Sequence, residues 1–170
     1  TWAELVLKSH YAFEEYEAAS AALDRAEDGL GEPFNRFLAL DRMHLLITQE
    51  RPYDEIEAQL ERLKFFEQQF SFGGVLAIVQ WGEALATAYA GDTERAVRIM
   101  RDAREEFRAS GLSLNMDAME LFDLELARIL IADDQASEAR RLLDDLLDRH
   151  PAYADARWER MQLAHADGRL

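Results

Sequence analysis

Histidine is the side chain that most often ligates a metal or moves a proton near neutral pH, and this chain has four: His10, His44, His150 and His165. None stands in an HxxxH or HExxH spacing, so the pattern that sets two imidazoles on one helix face for zinc is absent. His44 falls on the core side of its predicted helix, where a packed histidine is a simpler reading than a ligand. His150 precedes Pro151 at a helix C-terminus, where partial positive charge suits the dipole. The stretch Asp24 to Gly29 has the carboxylates of a calcium loop, but Ala26 takes a ligand position and Asn35 stands where a closing Glu is required. Gly73-Gly74 is followed by no Lys-Ser/Thr and preceded by no strand, so it is no phosphate loop. Ser9, Ser20, Ser71, Ser110, Ser113 and Ser137 sit on no nucleophile elbow. Adjacent acids such as Glu14-Glu15 and Asp144-Asp145 recur, as they do on solvated helix faces in a chain with 34 acidic residues. The residues make no catalytic constellation; the chain reads as a non-enzyme without metal or cofactor.

Recognition remains, and charge limits its partners. The formal net charge is −15, with acids spread along the whole length. Phosphate recognition wants a positive face, so neither nucleic acid nor an anionic membrane surface is expected as a partner of this segment. The most apolar region, 112–132, is interrupted by Asp117, Glu120, Asp123, Glu125 and Arg128 and is no transmembrane span. There is no signal-peptide pattern, and the absence of cysteine fits an intracellular, cytoplasmic home. At 170 residues and 49% apolar composition the chain suits one domain, 1–170, with a sizeable core. It begins inside a helical pattern at Thr1-Trp2, which reads as a piece of a longer protein.

The elements that position these side chains are all helical. The spacing predicts helices over 2–13 and 16–29, then one opened by Pro33 and carrying Phe34, Phe37, Leu38, Leu45 and Leu46. Glycines at 29 and 31 suit left-handed backbone at the end of the second helix. Arg51-Pro52 restarts the chain into 53–70, and Gly73-Gly74 breaks it before 75–90. Gly91-Asp92-Thr93 caps 93–110. Glu120 to Tyr153 then forms a complete helical hairpin around the turn Asp133-Asp134-Gln135, stopped by Pro151, and 154–167 is a last helix. The helix 116–131 is apolar nearly all round, so a neighbouring hairpin, a second copy or a ligand must cover both its faces.

The hairpin 120–153 resembles a tetratricopeptide (TPR) unit: Leu126, Ala127, Leu130, Ala139, Leu143 and Pro151 stand at that family's small and apolar positions. The stretch AYAGDTERAV, with Ala96 and Ala103, resembles it a second time. Ala19, Ile56, Ala96 and Ala139 take equivalent places, 37, 40 and 43 residues apart, longer than the ordinary period of about 34. Units near forty residues are similar to the helical-repeat region of MalT-class LuxR-type bacterial transcription regulators, most closely over 75–153. The resemblance implies an all-α fold, a right-handed α-α superhelix (TPR-like solenoid) of about four hairpins plus one terminal helix. It also implies a protein- or peptide-binding sensor segment, with an ATPase module upstream and a DNA-binding module downstream.

In such a superhelix the first helix of each pair lines the concave side. The matching positions are Lys8, Tyr11, Asp41, Leu45, Gln49, Trp81, Leu85, Tyr89, Leu124, Arg128, Trp158 and Gln162, aromatic anchors with charged neighbours that suit a peptide or helix. The other reading is that Trp81, Leu85 and Tyr89 pack across a tight superhelix. Arg95, Arg98, Arg101, Arg104 and Arg108 stand along one helix, the last four on a basic flank that either docks an acidic partner or phosphate or pairs with acids on adjacent helices. Two further functions fit the same pattern: a freestanding, self-associating scaffold, giving a homo-oligomer, and a small-molecule sensor.

Overall fold

The computed structural model describes residues 16–31, 38–70, 74–111 and 118–166. These residues form eight α-helices and no strand. They are α1 (Tyr16–Leu30), α2 (Ala39–Thr48), α3 (Tyr53–Gln69), α4 (Val75–Tyr89), α5 (Thr93–Ala109), α6 (Ala118–Ala132), α7 (Ala136–Arg149) and α8 (Ala154–Ala166). The expected helix 2–13 and the entry at Pro33 through Phe37 lie outside the described residues.

The boundaries follow local chemistry. Asp92 caps α5 by accepting the Arg95 backbone N–H, which satisfies one of the orphan donors of the first turn. Gly74 enters α4 with φ +89°, a left-handed conformation that favours glycine. At the end of α1 it is Gly31, at φ +67°, that takes this role, while Gly29 stays helical. Asp134 turns the chain between α6 and α7 at φ +57°, and the Gln135 N–H closes the turn on the Leu130 carbonyl. Pro151 lies just beyond Arg149, the last residue of α7, as a ring nitrogen without an N–H requires.

Each helix packs on its chain neighbours, α1 on α2 through to α7 on α8. Beyond these, α2 touches α4, α4 touches α6 and α6 touches α8. The even-numbered helices therefore share one side of the molecule. Ala19, Ile56, Ala96 and Ala139, one on each odd-numbered helix and expected to be equivalent, are all fully buried. The small side chains of Ala19, Ala96 and Ala139 allow close helix approach. Gly82 does the same for α4: a Cβ on it would stand 2.8 Å from a terminal methyl of Leu63.

One apolar core runs from Ala39 and Met43 on α2 to Leu163 on α8, and α4 is its centre. Nine residues of α4 are buried, among them Ile78, Trp81, Ala84 and Leu85. A second, small core joins α1 to α2 through Ala19, Ala22, Leu23 and Leu45. Burying each Leu or Phe contributes about 1.5–3 kcal/mol, more than a cap or a surface ion pair. The two faces of α6 are covered by α5 and α7, with α4 and α8 beside them. No helix among the described residues is long and apolar enough to cross a membrane.

Candidate functional site

The side formed by the even-numbered helices gathers aromatic and charged groups in one row. On α2, the His44 ring meets the Trp81 indole of α4 edge-on, their centroids 5.9 Å apart. Trp81 leans against Phe122 of α6, and Phe122 stacks on Phe107 of α5, both at 4.9 Å. His44 Nε2 also lies 3.7 Å from Oε2 of Glu125 on α6. The other oxygen of Glu125 accepts from Arg128 at 2.7 Å, and Arg128 Nε donates to Glu159 of α8 at 2.8 Å. Three helices are thus joined by alternating charge.

Burial makes these charges matter. Glu125 is buried, which alone would raise its pKa. The imidazole of His44 and the guanidinium of Arg128 outweigh that and pull the carboxyl down to about 2. For His44, burial opposes the charged form, yet Glu125, Asp41 and the Leu40 carbonyl together raise its pKa above the ordinary 6.5. Arg128 is raised further against its burial by Glu125 and Glu159. His44, Glu125 and Arg128 are each pushed toward the charged form by their neighbours.

A second charged cluster holds α6 to its hairpin. Asp123, 1% exposed, accepts from Arg104 of α5 on one oxygen and from Arg149 of α7 on the other. Arg149 also reaches Glu120, whose carboxylate lies 2.7 Å from His150 Nε2. The basic flank of α5 is accounted for by such pairs: Arg98 with Glu94, Arg101 with Glu138, Arg104 with Asp123 and Arg108 with Glu105. Pairing, rather than an open basic patch, is what these four arginines do. Between α5 and α7 lies a groove of about 570 Å³ over Leu126, its walls mixing Arg101, Arg104 and Arg141 with Glu105, Glu138 and Asp145.

The predicted concave residues divide sharply. Leu45, Trp81, Leu85 and Leu124 are core residues and line no open surface. Leu45 serves the small core with α1, and the other three serve the main core. Packing is the reading that holds for Trp81 and Leu85, because alternate helices approach closely enough for their side chains to fill the space between. Tyr89 is half-buried and its hydroxyl donates to the Arg51 carbonyl at 2.6 Å. Asp41 on α2 and Gln49 just after it are half-buried. Arg128 is brought to Glu159 of α8, the helix that also carries the exposed Trp158 and Gln162. Lys8 and Tyr11 lie outside the described residues.

His44, Glu125 and Glu159 were not among the expected binding positions. One signal for them is visible in the sequence: a helix apolar nearly all round that still carries Glu120, Asp123, Glu125 and Arg128 must pair those charges. The partners sit 80 and more residues away for His44 and cannot be read from spacing. Among the described residues no group of histidines and carboxylates is arranged to hold a metal ion. Comparison with known proteins finds no matching family model, curated protein or solved structure.

Proposed function

We propose that the chain is a right-handed helical-repeat module that binds a protein or peptide, the interaction arm of a larger regulator. One observation carries the repeat: each helix packs on its sequence neighbours while alternate helices line up on one side. Neighbour-on-neighbour packing is how a stack of hairpins shares a core that no single pair can bury. The full burial of Ala19, Ile56, Ala96 and Ala139 at equivalent places supports the same reading. The regulator context rests on the resemblance to MalT-class repeats.

The binding surface differs from the groove expected at the outset. With Trp81 and Leu85 sunk in the core, the expected positions that stand exposed among the described residues are on α8. There Trp158, 55% exposed, directly precedes Glu159 of the Arg128–Glu159 pair, and the exposed Gln162 follows it by three residues. An exposed Trp flanked by charge is the composition of a recognition hot spot, and a net charge of −15 favours a basic ligand. Titration with a panel of basic amphipathic peptides, followed by calorimetry, tests this. Binding that Trp158→Ala weakens at least tenfold, with helicity unchanged, supports the site; binding indifferent to Trp158→Ala removes it. Light scattering over a concentration series distinguishes self-association, and the flanking gene sequence tests the regulator context separately.

A further inference from the structure

Of the ion pairs among the described residues that reach between helices that are not chain neighbours, one spans the widest gap, from α2 to α6. His44 of α2 and Glu125 of α6 meet at 3.7 Å, and α4, which touches both helices, sets Trp81 against the imidazole. The ring has an acceptor at each nitrogen: the Leu40 carbonyl lies 3.0 Å from Nδ1, and the Glu125 carboxylate lies beyond Nε2. A neutral imidazole has one N–H and must turn a lone pair toward one of these oxygens. Only the imidazolium presents a proton to both.

We propose that His44 is a proton-operated clasp, which ties α2 to α6 across Trp81 when protonated and releases them when neutral. The groups around it set the direction. Glu125 faces it from α6, with Arg128 behind that carboxylate, and Asp41 lies one turn earlier on α2. From α4 it meets the uncharged Trp81 ring. Asp24 and Glu27 of α1 and Arg62 of α3 belong to a separate cluster around Arg42 and Glu27.

The sign follows. A histidine whose folded pKa is raised contributes its full stabilisation below the ordinary 6.5 and loses it as pH rises through the higher folded value. Release therefore falls on the neutral-to-alkaline side. When the proton leaves, Glu125 keeps Arg128 and is not orphaned, so opening severs the α2–α6 tie without leaving a buried charge unpaired. The fold survives and the two flanks of α4 gain freedom.

The test follows the imidazole resonances of the full chain by NMR between about pH 5 and pH 9, with the His44 signal assigned by its loss in His44→Gln. The clasp requires a midpoint above 6.5 that falls in Glu125→Gln. It also requires amides of α2 and α6 to exchange more slowly in wild type than in His44→Gln at about pH 6, the two converging at about pH 9. A wild-type midpoint at or below 6.5 overturns the proposal, as does one that Glu125→Gln leaves in place. Equal exchange of the two proteins at every pH overturns it as well, since His44 would then titrate without holding the helices. Should His44→Gln fail to fold, the wild-type midpoint and its shift in Glu125→Gln still decide.

Discussion

Asp123 and Glu125 show how charge survives inside a helix that reads as apolar. Asp123 is 1% exposed, but the two arginines it holds, Arg104 and Arg149, sit nearer the surface with side chains 25% and 45% exposed. Neutralising it lets both turn to water, so the loss is smaller than for a fully buried pair. Asp123→Asn should cost about 1–3 kcal/mol in urea denaturation, and Arg104→Met less, because Arg149 still satisfies the carboxylate. Glu125 sets a pH signature of its own. Its carboxyl, about 2 in the fold against an ordinary 4.5, contributes stability above pH 4.5 that is lost as pH falls toward 2. The stability gap between wild type and Glu125→Gln should therefore narrow over that interval in acid-titrated thermal melts. These acids were legible as residues that need partners. The identity of the partners was not, since Arg149 and His44 reach them by tertiary packing, and spacing along one helix carries no record of that.

At the scale of elements, boundaries were the readable part. Pro151, Asp92 and the glycines that take positive φ mark helix ends because each has a backbone reason to stand there. Asp92→Ala should cost about 1 kcal/mol, measured by thermal or urea melts, through loss of the α5 cap. The exposed face was read less well. Periodicity identifies an apolar side but not how near the next helix comes, and that nearness put Trp81 and Leu85 inside the core. Gly82 measures it directly. An Ala there gains about 1 kcal/mol of helix propensity while its methyl displaces only the end of Leu63, so Gly82→Ala should be close to neutral. Gly82→Val presses further, toward Leu60 and Met43 also, and should lose about 1–3 kcal/mol by the same melts.

The whole molecule inherits an order of stability from the way its core is distributed. With nine buried residues, α4 should hold the slowest-exchanging amides, while α8, with two, exchanges ahead of it in native-state hydrogen exchange. Uniform protection along the chain would contradict a stack built neighbour on neighbour. An all-helical class followed from the sequence pattern, because 3.6-residue periodicity is a local property. The alignment of alternate helices is a relation between distant segments and needed coordinates. One detail of that relation concerns the amino-terminal end of the described chain. There, among the described residues, α1 rests on α2 through the small core of Ala19, Ala22, Leu23 and Leu45 with Tyr16 and Leu38 beside it, and Arg42 also donates to Ser20. Its ionic moorings are Asp24 and Glu27 to Arg42, and Glu27 to Arg62. Dissolved salt weakens such moorings and leaves oily contacts intact. Brine should therefore loosen α1 more than α4, which nine buried residues hold in the main core.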